Sequence, residues 1–228
     1  MRENIIQSGN RSGDGRTYIE YDWFGHGIPG NVNLAEHVYI DTSYGFAAFH
    51  SELPDAMTMG RGSGCYDRAS FVVGEKGKIQ IGEFNILNGS VFICRKKIVV
   101  GSHCMFAWGS VITDCWINEN NFSAEQRRRV LKETAQHGYR ILPHNGEPKE
   151  IIIEDNVWVG FDTVVLPGVK LGRGCVIGSK SVVATDVPPY AVVVGNPSRI
   201  IRYLEPGDTE EARAMAMNEY LLNSHTSK

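Results

Sequence analysis

The sequence predicts an all-β solenoid, a left-handed parallel β-helix of hexapeptide repeats with a helical insertion and a C-terminal helix. Three observations carry this. Aliphatic residues recur at every sixth position through six successive blocks, IEDNVW VGFDTV VLPGVK LGRGCV IGSKSV VATDVP, opened by Ile153, Val159, Val165, Leu171, Ile177 and Val183. A glycine or another small or polar residue follows most openers: Glu154, Gly160, Gly172, Gly178 and Ala184. The fifth place of each block is small or medium: Val157, Thr163, Val169, Cys175, Ser181 and Val187. Amphipathic helices repeat near 3.6 and half-buried strands at 2, so neither produces a strict six. A triangular coil does. Each block supplies one short flat strand and one corner, and three blocks close a turn. The opener points into the prism, and successive coils pair in parallel at about 4.8 Å, the ordinary inter-strand spacing.

An earlier array is less regular. Ile81, Leu87 and Ile93 are six apart; a seven-residue step then leads to Val100, Phe106 and Ile112. The extra residue falls near Arg95, Lys96 and Lys97, where a corner bulges outward. Weaker echoes at Leu34, Ile40 and Phe46 mark residues 30–75 as a degenerate start of the prism. The expected organisation is therefore an irregular N-terminal region over 1–75 that leads into the first coils, a first array over 76–113, an inserted helix and loop over 114–149, a second array over 150–204, and a helix and tail over 205–228. In the insertion, Ser123 and Gln126 match a capping box, which predicts a helix from Ala124 to about His137, ended by Gly138. Beyond Pro188 and Pro189, Asp208 with Glu211 three residues later signals a helix within 205–222, suited to covering the open end of the solenoid.

Composition narrows the function classes. The chain has 228 residues, 42% apolar and 21% charged, with a net charge of -3. A sequence pI near 6.2 offers no basic excess for nucleic acid. The run Arg127, Arg128 and Arg129 reads as a solvated helix face. The five cysteines are odd in number, without CxxC or His pairs at zinc spacing, so neither a disulfide framework nor a structural metal is expected. Reduced thiols and the lack of a signal-peptide or membrane-length apolar run lead to the expectation of a cytoplasmic protein without membrane insertion.

Five motifs then carry a family resemblance: Asp155-Asn156-Val157-Trp158-Val159-Gly160, Leu166-Pro167-Gly168-Val169, Val176-Ile177-Gly178-Ser179, Asp186-Val187-Pro188-Pro189-Tyr190 and Gly195-Asn196-Pro197-Ser198-Arg199. This stretch of about 50 residues resembles the C-terminal half of hexapeptide-repeat acyltransferases, a group that includes maltose and galactoside O-acetyltransferases and capsule or lipopolysaccharide sugar acetyltransferases. The resemblance implies acetyl-CoA as acyl donor and a small hydroxyl or amine acceptor, above all a sugar. It also implies a homotrimer with donor sites in the clefts between prisms, and polysaccharide biosynthesis as the setting. By motif, Trp158 flanks the thioester, Gly160 and Ser179 bond the pantetheine, and Lys180 and Arg199 lie towards the nucleotide phosphates. Each also has a plainer reading: a packing tryptophan, a crowded corner, or exposed charges.

The family uses a His after the first array as general base, with a neighbouring acid to orient it. Asp114 matches the acidic position and is otherwise an Asp at a turn. No alignment of 114–127 yields the His, and anchoring on Ala124-Glu125-Gln126-Arg127 puts Asn120 in its place. An amide accepts no proton near neutral pH. Three alternatives stand: a base from elsewhere, with His144 and His103 as candidates; Glu119, a weak base at an ordinary pKa near 4.3; or loss of catalysis in a trimeric binding or scaffold protein. A zinc enzyme on the same helix, such as a γ-class carbonic anhydrase, ranks below these because the seven His show no matching close pair.

Overall fold

The six openers of the second array point inward and are fully buried, and so are all six fifth-place residues. The computed structural model describes residues 5–6, 12–116, 123–137, 147–205, 215 and 218. The strands, in chain order, are β1 (Ile5–Ile6), β2 (Val32–Leu34), β3 (Val38–Ile40), β4 (Met57–Met59), β5 (Gly64–Tyr66), β6 (Ser70–Val73), β7 (Lys78–Ile81), β8 (Ile86–Asn88), β9 (Val91–Cys94) and β10 (Lys97–Val100). They continue with β11 (Met105–Phe106), β12 (Val111–Thr113), β13 (Ile151–Ile153), β14 (Trp158–Val159), β15 (Val164–Val165), β16 (Lys170–Leu171), β17 (Val176–Ile177), β18 (Val182–Val183), β19 (Ala191–Val194) and β20 (Arg199–Tyr203).

These strands form three faces of a prism. The first face stacks β2, β4, β7, β10, β13 and β16; the second stacks β3, β5, β8, β11, β14, β17 and β19; the third stacks β6, β9, β12, β15 and β18. Pairing along each of these stacks is parallel. Antiparallel strands cover the ends of the second face, β1 on β3 and β20 on β19. Such covers keep a solenoid's open edges from recruiting other chains. The expected C-terminal helix falls almost wholly outside the described residues.

Coil length falls along the axis. Val32 pairs with Met57, 25 residues on, and Met57 with Ile79, 22 on. Ile79 pairs with Ile98, 19 on, and Ile152 with Lys170, 18 on. The longer coils turn through larger corners, which is why the strict period appears only in the second array. Each coil passes from the first to the second face through one left-handed residue: His37, Gly62, Phe84, His103, Asn156, Gly174 and Tyr190.

One expected opener is displaced. Phe92, not Ile93, points inward, since Phe92 pairs with Ile112 on the third face and the strand alternates around it. Its ring lies 5.6 Å from Phe71 and 5.3 Å from Phe106. The steps are thus five residues to Phe92 and eight to Val100, and the surplus sits at the Arg95–Lys96 corner. Asp114 holds that corner. Its fully buried carboxylate accepts from the backbone N–H of Arg95 at 2.8 Å, Lys96 at 2.7 Å and Lys97 at 2.9 Å, and from the Cys94 thiol at 3.4 Å.

The insertion leaves and returns at one point, where Lys149 N–H donates to the Asp114 carbonyl at 2.7 Å. Helix α1 (Ala124–His137) carries the reciprocal cap, with Ser123 N–H on Gln126 Oε1 at 2.9 Å and Gln126 N–H on Ser123 Oγ at 3.1 Å. All five cysteines are buried thiols without a disulfide, and burial pushes Cys175 up to about 12.

Two measurements by chemical denaturation check this architecture. Leu171→Ala is expected to destabilise the fold by about 2–5 kcal/mol, while Ile152→Ala, on an outward side chain 39% exposed, costs well under half of that. Asp114→Asn turns one acceptor into a donor facing three backbone N–H groups and is expected to cost about 1–3 kcal/mol.

Candidate functional site

On a parallel β-helix the strand backbones are consumed by their ladders, so ligands meet corners and outward side chains. The corner between the second and third faces gathers most of the residues singled out by motif. After β14 the chain turns through Gly160, Phe161 and Asp162, and after β17 through Gly178, Ser179 and Lys180. Gly160 N–H donates to Ile177 C=O at 2.8 Å. A Cβ at Gly160 would stand 2.7 Å from the Ser179 nitrogen, so the close approach of the next coil requires glycine here. Ser179 Oγ accepts from Phe161 N–H at 3.2 Å, and Lys180 N–H donates to Phe161 C=O at 2.7 Å. Gly160, Ser179 and Lys180 are therefore joined around Phe161. Lys180 takes the left-handed turn with φ 60, and its side chain is exposed.

Trp158 precedes this corner on β14, faces outward and is 51% exposed. It stands in register between Met105 and Val176, with Ile86 next beyond Met105, and together they make an apolar stripe down the second face. Arg199 is exposed on β20, paired with Val194, at the C-terminal end of the same face. It shares that face with Trp158 but stands apart from the corner cluster.

The residues considered for proton transfer distribute differently. Asn120, Glu119 and His144 lie outside the described residues. Asp114 is described, and its oxygens are taken by the Arg95–Lys97 backbone rather than turned towards a base. His103 stacks on Phe84 at 5.5 Å at the corner of the first and second faces, across the second face from the Gly160 corner. Among the described residues no group of three His, Cys, Asp or Glu side chains is placed to hold a metal ion.

Motif reading missed two aromatic residues at this corner. Trp108 and Phe161 stack with centroids 5.6 Å apart and planes within 11°. Trp108 Nε1–H donates to Asp67 Oδ2 at 2.8 Å, and its ring occupies the space a Cβ at Gly89 would need, 2.9 Å away. The available signal was positional: FAWGSV and VGFDTV both carry an aromatic residue at the third place, in coils that prove adjacent.

Known proteins fit this picture. The bacterial transferase hexapeptide (six repeats) family profile matches residues 150–185. A chloramphenicol acetyltransferase of Agrobacterium fabrum is 41% identical over 114 residues, 46% of this chain and 51% of that protein. A chloramphenicol acetyltransferase of Escherichia coli is 47% identical over 53 residues, 23% of this chain and 25% of that protein. The chain thus spans about half or less of the length of these curated relatives. A hexapeptide-repeat acetyltransferase of Vibrio cholerae, solved with acetyl-CoA, is 28% identical with TM-score 0.51, over 64% of this chain and 70% of that one. An N-acyltransferase of Bacillus cereus, solved with dTDP and coenzyme A, shares the fold at 14% identity and TM-score 0.55, over 86% and 87% of the two chains. The repeat, the aligned sequence and the coiled architecture together make this chain similar to the hexapeptide-repeat acetyltransferases over its second array and alike in fold over most of its length.

Proposed function

We propose that the protein is an acyl-CoA-dependent acyltransferase, wound as a left-handed β-helix, that moves an acetyl group from acetyl-CoA to a hydroxyl or amine of a sugar or similar small acceptor. The observation that carries this reading is the corner where Gly160, Ser179 and Lys180 close around Phe161 beside the outward Trp158. That corner lies in the stretch matched by the family profile, and a 28% identical relative was solved with acetyl-CoA. The extended, amide-bearing pantetheine suits a corner where backbone and small polar side chains are exposed between two apolar faces. Trp158 supplies an apolar wall for the thioester. Lys180 and Arg199 supply cations towards the phosphates, with Arg199 at the far end of the face.

The reaction is direct displacement. The acceptor oxygen or nitrogen attacks the thioester carbonyl and loses its proton to a base; the tetrahedral intermediate collapses, and the CoA thiolate leaves. His144 suits the base, since imidazole is the side chain whose charge changes near neutral pH, whereas Asn120 serves only to orient the acceptor or the carbonyl. The thiolate and the free thiols suit the cytoplasm.

A homotrimer follows from the same reading. The apolar stripe of Ile86, Met105, Trp158 and Val176 is outward in the single chain, and Leu131 on α1 is 65% exposed. The insertion is tied at the corner of the third and first faces, while the donor corner joins the second and third faces. A base carried by the insertion thus reaches its donor corner across the third face or from a neighbouring copy. The second reading, a catalytically impaired trimeric binding protein, draws on Asn120 alone.

Acetyl-CoA at a hundredfold over its Kd is expected to stabilise the native protein by about 2.7 kcal/mol, read as a raised Tm. Trp158→Ala should remove most of that rise, and sedimentation should report three chains. Release of free CoA thiol with an acceptor panel, lost in His144→Ala and reduced in Asn120→Ala, completes the expected pattern. No thermal response to acetyl-CoA overturns the proposal; a response without thiol release favours the binding protein.

A further inference from the structure

The aromatic pair at the donor corner is held more firmly than an exposed surface requires. Trp108 is 45% and Phe161 48% exposed, yet both rings are fixed. Trp108 is pinned by its Nε1–H bond to Asp67, two coils towards the N-terminus, and stacks on Phe161 on the other side. Gly89, left-handed at φ 47, leaves room for the indole, because any larger residue there meets the ring. Phe161 is bonded through its backbone to Ser179 and Lys180 on the C-terminal side. The pair therefore runs without a gap from the donor corner to the N-terminal coils.

Rigid rings that keep half their surface in water, on the edge between two largely apolar faces, form a stacking surface with little ordering left to lose on binding. Its rim carries Asp67 and, one coil further, Asp41, whose carboxylate accepts from Arg68 N–H at 3.0 Å. Tyr39 and Tyr66, stacked at 4.8 Å, stand beside them on the second face. An apolar floor bordered by carboxylates and phenols suits a ligand with one flat apolar ring face and hydroxyl groups at its edge.

We infer that Trp108, backed by Phe161 and braced by Asp67, is the specificity-determining floor of the acceptor subsite, on which a flat ring face of the acceptor stacks. This rests on the donor-corner reading. The ring face is that of an aryl group or the CH face of a pyranose, and two probes separate these sources. Chloramphenicol represents the first and isopropyl thiogalactoside the second.

Binding of each probe to the full chain, saturated with coenzyme A, is measured by saturation-transfer NMR, with no turnover needed. At least one probe is expected to bind through its ring-face protons. Trp108→Ala should weaken that binding at least tenfold, Trp108→Phe by no more than about threefold, and Asp67→Asn should fall between them. Stabilisation by acetyl-CoA should stay within twofold of wild type in Trp108→Phe and Asp67→Asn, which separates this subsite from the donor site. Equal binding of both probes by wild type and all three variants overturns the inference, and so does failure of both probes to bind wild type while acetyl-CoA still stabilises it. Should Trp108→Ala fail to fold, the graded loss through Trp108→Phe and Asp67→Asn decides. No response of wild type to acetyl-CoA is the separate failure of the donor reading.

Discussion

The interior of the prism is narrow, with room for only two side chains from each face of a second-array coil, such as Ile151 and Ile153, and the other features answer to that limit. In the second array each coil fills it with three aliphatic openers, Ile153, Val159 and Val165, then Leu171, Ile177 and Val183, beside the small or medium fifth-place residues, all buried. Side chains of this size close the space with 18 residues per coil. In the N-terminal coils Phe71, Phe92 and Phe106 fill the same space, in contact with one another, and those coils are longer. Larger interior residues and longer corners occur together, which is why the repeat loosens towards the N-terminus without the architecture changing.

The same limit decides where chemistry can occur. Strand backbones are committed to parallel ladders and inward side chains to the core, so a ligand is left with the corners and the outward rows. The outward row of the first face is largely polar, with Asn33, Thr58, Gln80 and Lys170 in it, and ion pairs such as Lys170–Glu154 at 2.6 Å crowd that side. The outward row of the second face is apolar from Ile86 to Val176. The corner between the second and third faces is bordered by that row and by Val111, Val164 and Val182 on the third face, and there Gly160 allows neighbouring coils to approach without a side chain between them. A bulky side chain at that position would crowd an edge where backbone and hydroxyl groups stand together beside an exposed tryptophan.

Much of this was legible in the sequence because period and burial are the same fact seen twice. The aliphatic openers of 153–187 and the capping box at Ser123 needed only spacing to read. What escaped did so for identifiable reasons. Ile93 and Phe92 are both apolar neighbours, and only pairing with Ile112 decides which one points inward. Trp108 and Phe161 are 53 positions apart in the chain, and the insertion conceals that their coils are adjacent. Asp114 was legible as a special carboxylate but not as to its partner. A buried acceptor for backbone N–H groups and an acid that orients a base need the same residue type, and the Arg95–Lys97 bulge that claims it is visible only as one surplus residue.

That surplus residue links the two arrays. The eight-residue step from Phe92 to Val100 leaves three consecutive N–H groups at the Arg95–Lys97 corner without a strand partner. Buried N–H groups without acceptors are costly. Asp114 supplies the acceptor from the next coil, at the position where the insertion departs, and its own carbonyl receives Lys149 N–H where the insertion returns. One residue therefore closes the irregular corner of one coil and fixes both feet of the loop that follows. The long insertion hangs from a rigid point, so its length leaves the register of β13 on β10 undisturbed, and Ile98 pairs with Ile151 as though only 18 residues lay between them. A loop anchored this way can vary in sequence without moving the prism. The Gly160 corner accordingly keeps its geometry whatever sequence the insertion carries, because the physical constraints on the two are separate.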